Sequence, residues 1–130
     1  MNIGSVARVT GLPAKTIRYY ETAGLISPPA RAENGYRQYQ KSDIETLNFI
    51  VQARQLGFSI KDVANLLELW NDRERASVDV KEMTLKQIDK IDQKISELQA
   101  VRATLTNLAE RCHGDDRPDC PILDKLETGE

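Results

Sequence analysis

Apolar residues near the start of the chain recur at helical spacing and are cut by turn residues. Ile3, Val6 and Ala7 share one face and stop at Thr10-Gly11. Pro13 suits a first helical position, and Ile17 and Tyr20 carry a new apolar stripe to Gly24. Two short helices joined by a tight glycine-containing turn form a helix-turn-helix pattern. Pro28-Pro29 then breaks any helix, and Asn34-Gly35 between two short extended stretches is a strong hairpin signal, which predicts a two-stranded wing.

Ser42 with Glu45 reads as a capping box opening a helix through Ile44, Leu47, Ile50 and Val51, closed by Gly57. Ser59 is placed to cap another, with Ile60, Val63, Ala64 and Leu67, ending near Trp70-Asn71. Residues 72 to 79 are polar and read as a hinge. From Val80 to Cys112 there is neither Pro nor Gly, and Ile88, Ile91, Ile95, Leu98, Arg102, Leu105, Ala109 and Cys112 alternate spacings of three and four. That is a heptad seam with one polar interruption at Arg102. A helix of about 32 residues runs about 48 Å, too long to pack along a small domain, so its stripe needs a second chain. Gly114 and Pro118 enforce a loop after Cys112, and Pro121 starts a last short helix through Leu126.

The expected organisation is a mainly α chain: a winged helix-turn-helix domain at 1–70, a hinge at 71–79, a dimerisation helix at 80–111, and a loop with a short helix at 112–130. No run of apolar residues approaches the roughly 18 that a spanning helix needs, and the N-terminus lacks the features of a signal peptide. A cytoplasmic protein is expected.

Net charge is −2 over 130 residues, which by itself argues against nucleic acid, but the charge is unevenly spread. Residues 1 to 41 hold six bases against two acids, a net +4, and residues 112 to 130 hold two bases against six acids, a net −4. A basic front and an acidic tail suggest a phosphate-facing module carried by something that does not face phosphate. No nucleophile, base and oxyanion constellation or phosphate loop is apparent, so no enzyme is expected.

Lys15, Thr16, Arg18 and Tyr19 lie on the second helix, where Arg and Lys can contact phosphates or guanine edges and Tyr can give a hydroxyl to phosphate. Composition alone does not separate this from a solvated basic face. Arg31, Asn34, Tyr36 and Arg37 on the wing resemble a backbone clamp more than a base reader, and Tyr39 is balanced between DNA and packing. Ile17, Tyr20 and Trp70 read as packing residues. The two cysteines, Cys112 and Cys120, could be a disulfide, unrelated thiols or a metal pair. A cytosolic setting counts against the first, and their place on a Gly/Pro loop beside a helix N-terminus, which favours a thiolate, counts against the second. His113 reads as a loop residue.

Thr16-Ile17-Arg18-Tyr19-Tyr20-Glu21, Gly24-Leu25 and Asn34-Gly35-Tyr36-Arg37-Gln38-Tyr39 closely resemble the DNA-binding domain of the MerR family. The pair Cys112 and Cys120 around Gly114-Asp115-Asp116 is similar to the copper-efflux regulators within it, and the resemblance covers essentially the whole chain. It implies a homodimer with an antiparallel coiled coil, bound to double-stranded promoter DNA with an overlong spacer, and a metal-driven distortion that aligns the promoter for RNA polymerase. It implies Cu(I), with Ag(I) or Au(I) as alternatives, held by Cys112 and Cys120. Ser77 matches the position where sensors of divalent metals supply a cysteine from the other subunit, and Lys81 matches a basic position near the family's site. The rival expectations are a regulator of Zn(II), Hg(II) or a redox cluster, and a cytosolic thiol or metal carrier. A cluster normally needs four thiolates, twice what this chain holds.

Overall fold

The computed structural model describes residues 1–29, 35, 38–115 and 118–129. Its elements are α1 (Ile3–Thr10), α2 (Ala14–Thr22), α3 (Lys41–Gln55), α4 (Ile60–Asn71), α5 (Ser77–Arg111) and α6 (Pro121–Thr128). Contacts divide the chain into a unit of residues 1–84 and a unit of residues 85–130. The expected wing falls mostly on residues 30–34, 36 and 37, which lie outside the described residues. Of its turn only Gly35 is described, with a φ of 81° in the left-handed region that hairpin turns use.

In the first unit α1 opens on an Asn2 cap whose side chain accepts the Ser5 N–H at 2.9 Å. It closes at Gly11, where φ is 75° and the N–H returns to the Ala7 carbonyl at 2.9 Å. A side chain there would be strained in that backbone, so glycine is what lets α2 follow so soon. Pro13 stands as the cap of α2, one residue before the position expected, and its carbonyl accepts the N–H groups of Thr16 and Ile17. The cap of α3 is also displaced from expectation. The helix starts at Lys41, and Asp43 accepts the Gln40 N–H at 2.8 Å, so Gln40 and Asp43 occupy the places assigned to Ser42 and Glu45. The physical reason is that Asp43, one turn in, reaches the first free donor before Glu45 can. Ser59 caps α4 as expected, accepting the Asp62 N–H at 3.1 Å.

These helices close around Val6, Ile17, Leu47, Ile50 and Val63, all fully buried, with Tyr20, Leu25, Ile26, Tyr39, Phe58 and Leu67 around them. Phe49 of α3 stacks on Trp70 of α4 at 4.6 Å and 12°, which makes Trp70 a packing residue although it stays partly exposed.

The helix α5 has 35 residues and begins at Ser77, inside the segment read as a hinge, because nothing in 77–79 breaks a helix. In the second unit Ile88, Ile91, Ile95, Leu98 and Leu105 are 44 to 60% exposed. Among the described residues of that unit nothing covers this apolar stripe, whereas Leu108, near the end of the helix, is buried. Among the described residues no helix is long and apolar enough to cross a membrane.

Candidate DNA interface and metal-ligand pair

On α2 the sequence alternates core and surface within each turn. Ile17, Tyr20 and Glu21 are buried, while Lys15, Arg18 and Tyr19 are exposed and Thr16 is half-buried. Positions 15, 18, 19 and 22 share one helical face, so the cations and the Tyr19 hydroxyl project together on the side away from the core. Tyr19 is 54% exposed, and its ring leans on Tyr20 at 5.8 Å, which restrains the exposed ring from below. This is a preformed basic face on the second helix of a helix-turn-helix, the element that enters a major groove in such folds. Arg31, Asn34, Tyr36 and Arg37 lie outside the described residues.

Tyr39, left balanced between DNA and packing, is 2% exposed and belongs to the core. Its hydroxyl donates to Oε1 of Glu21, which is itself buried. Its N–H donates to the Met1 carbonyl at 2.7 Å, and its carbonyl accepts from the Met1 nitrogen at 2.9 Å. Sequence reasoning missed Glu21, because an acid among bases reads as a solvated charge. The signal that could have found it was its place one residue after Tyr20, on the inward side of α2.

At the other end of the chain Cys112 follows the last residue of α5, and its N–H bonds the Ala109 carbonyl at 3.2 Å. Cys120 is the residue capping α6, and its carbonyl accepts the Asp124 N–H at 3.0 Å. Both are free thiols and both are partly buried. Gly114 takes a φ of 66°, a backbone any side chain would strain, so the loop turns there. Lys125 of α6 and Ala103, Thr104, Asn107, Leu108 and Arg111 of α5 line one pocket of about 370 Å³, so α6 returns against the last turns of α5. Pro121 has no N–H, and among the described residues no acceptor meets the N–H groups of Ile122 and Leu123. Those two donors and the positive end of α6 offer hydrogen bonds to an anionic sulfur.

The donor set suits a soft ion of low coordination number. Two thiols are available, and among the described residues no group of three His, Cys, Asp or Glu side chains comes together. His113 is exposed in the loop. Ser77, exposed, is the first residue of α5, and Lys81, also exposed, lies one turn further on.

A basic recognition helix on a compact helical unit, followed by a long helix with an apolar stripe, defines a helix-turn-helix regulator. The profile described as MerR HTH family regulatory protein matches residues 1–70, and that described as MerR, DNA binding matches residues 44–108. The chain belongs to the MerR family of transcription regulators, DNA-binding proteins and not enzymes. It is 50% identical over 129 residues to heavy metal-dependent transcription regulator 2 of Rhizobium meliloti, covering 99% of this chain and 88% of that one. It is 50% identical over 126 residues to the HTH-type transcriptional regulator CueR of Salmonella typhimurium, covering 97% and 91%. The crystal structure of the regulator PbrR691 from Ralstonia metallidurans, in complex with lead(II), superposes with a TM-score of 0.83 at 28% identity, covering 97% of this chain and 98% of that one. Membership in a family of regulators sets aside the thiol or metal carrier.

Proposed function

We propose that this protein is a Cu(I)-responsive homodimeric regulator that holds promoter DNA and activates metal-efflux or detoxification genes when Cys112 and Cys120 take up the ion. The observation that carries the reading is the donor set: two free, partly buried thiols at the two ends of one loop, in a chain with no other cysteine. Soft thiolates suit Cu(I), and a divalent ion finds too few ligands in two sulfurs alone. The relative named heavy metal-dependent regulator and the relative named CueR support a metal effector of this kind.

The chain's own residues supply the rest. Two thiolates with one monovalent ion carry a net −1, which costs free energy wherever water is excluded. The N–H groups of Ile122 and Leu123 offset part of that charge, and Lys81 of a second copy is the proposed source of more. Ser77 at the start of α5 withholds the thiol that a divalent ion would need. Lys15, Thr16, Arg18 and Tyr19 hold DNA through the exposed face of α2, with Arg31, Asn34, Tyr36 and Arg37 as the proposed clamp on flanking phosphates. The exposed stripe of α5 joins two copies, RNA polymerase reads the realigned promoter, and the reducing cytoplasm keeps both cysteines as thiols.

The lead(II)-bound neighbour supports a second reading, a soft divalent effector. Metal titration of the dimer with X-ray absorption separates the two. Cu(I) should bind with two sulfur neighbours and at lower free concentration than Zn(II) or Pb(II), and Ser77→Cys should bring the divalent ions into range. Three or more sulfur or nitrogen neighbours around bound Cu(I), or tighter binding of Zn(II), would contradict the Cu(I) assignment.

A further inference from the structure

Glu21 and Tyr39 do not belong to the exposed face of α2, yet they form a link that is out of proportion to a packing role. Glu21 is 8% exposed and Tyr39 is 2% exposed, and the Tyr39 hydroxyl donates to the Glu21 carboxylate across 18 positions of sequence. Burying a carboxylate is costly unless donors meet it, and an apolar pair of the same volume would fill this part of the core without that cost. What an apolar pair lacks is direction. A hydroxyl bonded to a carboxylate fixes both distance and angle, whereas apolar contacts let neighbours slide.

The place of this bond in the chain gives the direction a use. Glu21 sits near the end of α2, on the same helix as Lys15, Arg18 and Tyr19. Tyr39 stands two residues before α3 begins at Lys41. The backbone of Tyr39 is also paired with Met1, just ahead of α1. One residue is therefore tied by its side chain to the recognition helix and by its backbone to the segment that opens the first helix.

We propose that Glu21 and Tyr39 are positioning residues for DNA binding: their buried bond ties α2 to the segment that enters α3 and, through the Tyr39 backbone, to Met1, so that the exposed face of α2 is held in the orientation that meets the duplex. Neither side chain touches DNA; each acts by fixing where the phosphate-contacting residues stand. The inference rests on the DNA-binding face assigned to α2, and adds the residues that hold that face in place.

The test uses the full-length dimer and a duplex enriched by the wild-type protein from a random pool, with binding followed by fluorescence anisotropy over a salt series. Tyr39→Phe removes the hydroxyl and keeps the ring. At a temperature where circular dichroism shows it folded, it should bind about tenfold more weakly, with the magnitude of the salt slope lower by about one. Glu21→Met keeps the length of the side chain and removes the acceptor oxygens, and it carries the same readout should Tyr39→Phe fail to fold. The double variant should bind no worse than the weaker single variant, because both remove one bond. A purely structural bond gives the opposite pattern: lower melting temperatures with wild-type affinity and slope, which would overturn the proposal. Wild-type protein that forms no salt-dependent complex with any duplex would instead remove the DNA reading of α2, and this inference with it.

Discussion

Neighbouring residues of α2 have opposite fates, and the helical period decides which. Ile17 and Tyr20 go inward and Arg18 and Tyr19 go outward, as the apolar spacing predicted. Glu21 was not legible, because its burial depends on a donor 18 positions away that no local pattern reveals. Tyr39 could not be assigned for the same reason: a tyrosine after an expected hairpin serves packing or phosphate equally well until its surroundings are known. Cys120 was legible as a residue beside a helix N-terminus, because Pro121 announces the helix. At this scale the expectation for Arg18, exposed on the basic face, is direct. Arg18→Ala should weaken binding and lower the magnitude of the salt slope by about one, without changing the melting temperature by more than a surface substitution does. An unchanged slope, measured by anisotropy over a salt series, would exclude Arg18 as a phosphate ligand.

Elements were read better than their ends. The helices expected within residues 1–71 are present, but α3 starts two residues early, at Lys41 with Asp43 completing its capping box, and α5 starts at Ser77 where a hinge was expected. The first difference comes from capping, where several polar side chains compete for the same free N–H groups and geometry picks one, and the second from a stretch 77–79 that holds no helix breaker. The seam of α5 was legible from its spacing, and its exposure in the single chain is what that spacing demands: Ile91 is 44% exposed and Leu98 60%. In the proposed homodimer a second copy covers these residues. Cutting a buried Leu or Ile to Ala costs about 2 to 5 kcal/mol, so Ile91→Ala with Leu98→Ala should yield monomers or unfolded chain and abolish binding to paired half-sites. Sedimentation of an intact dimer at low micromolar concentration would contradict the packing.

For the molecule as a whole, the chain spells out a DNA-binding unit, a long helix and a cysteine loop, but in the proposed homodimer the link between loop and DNA passes through two copies and is not written in any one segment. Coupling requires that the ion favour one of two arrangements of the bound dimer. It need not tighten binding, because its differential effect can fall on the shape of the DNA instead. The most direct measurement is therefore a footprint of the promoter complex with and without Cu(I), beside Cys112→Ser and Cys120→Ser. Similar affinity is expected in every case, with altered cleavage at the central base pairs only when Cu(I) meets the wild-type protein and no such change in either cysteine variant. Footprints identical with and without Cu(I), or a change that persists in the cysteine variants, would contradict this expectation.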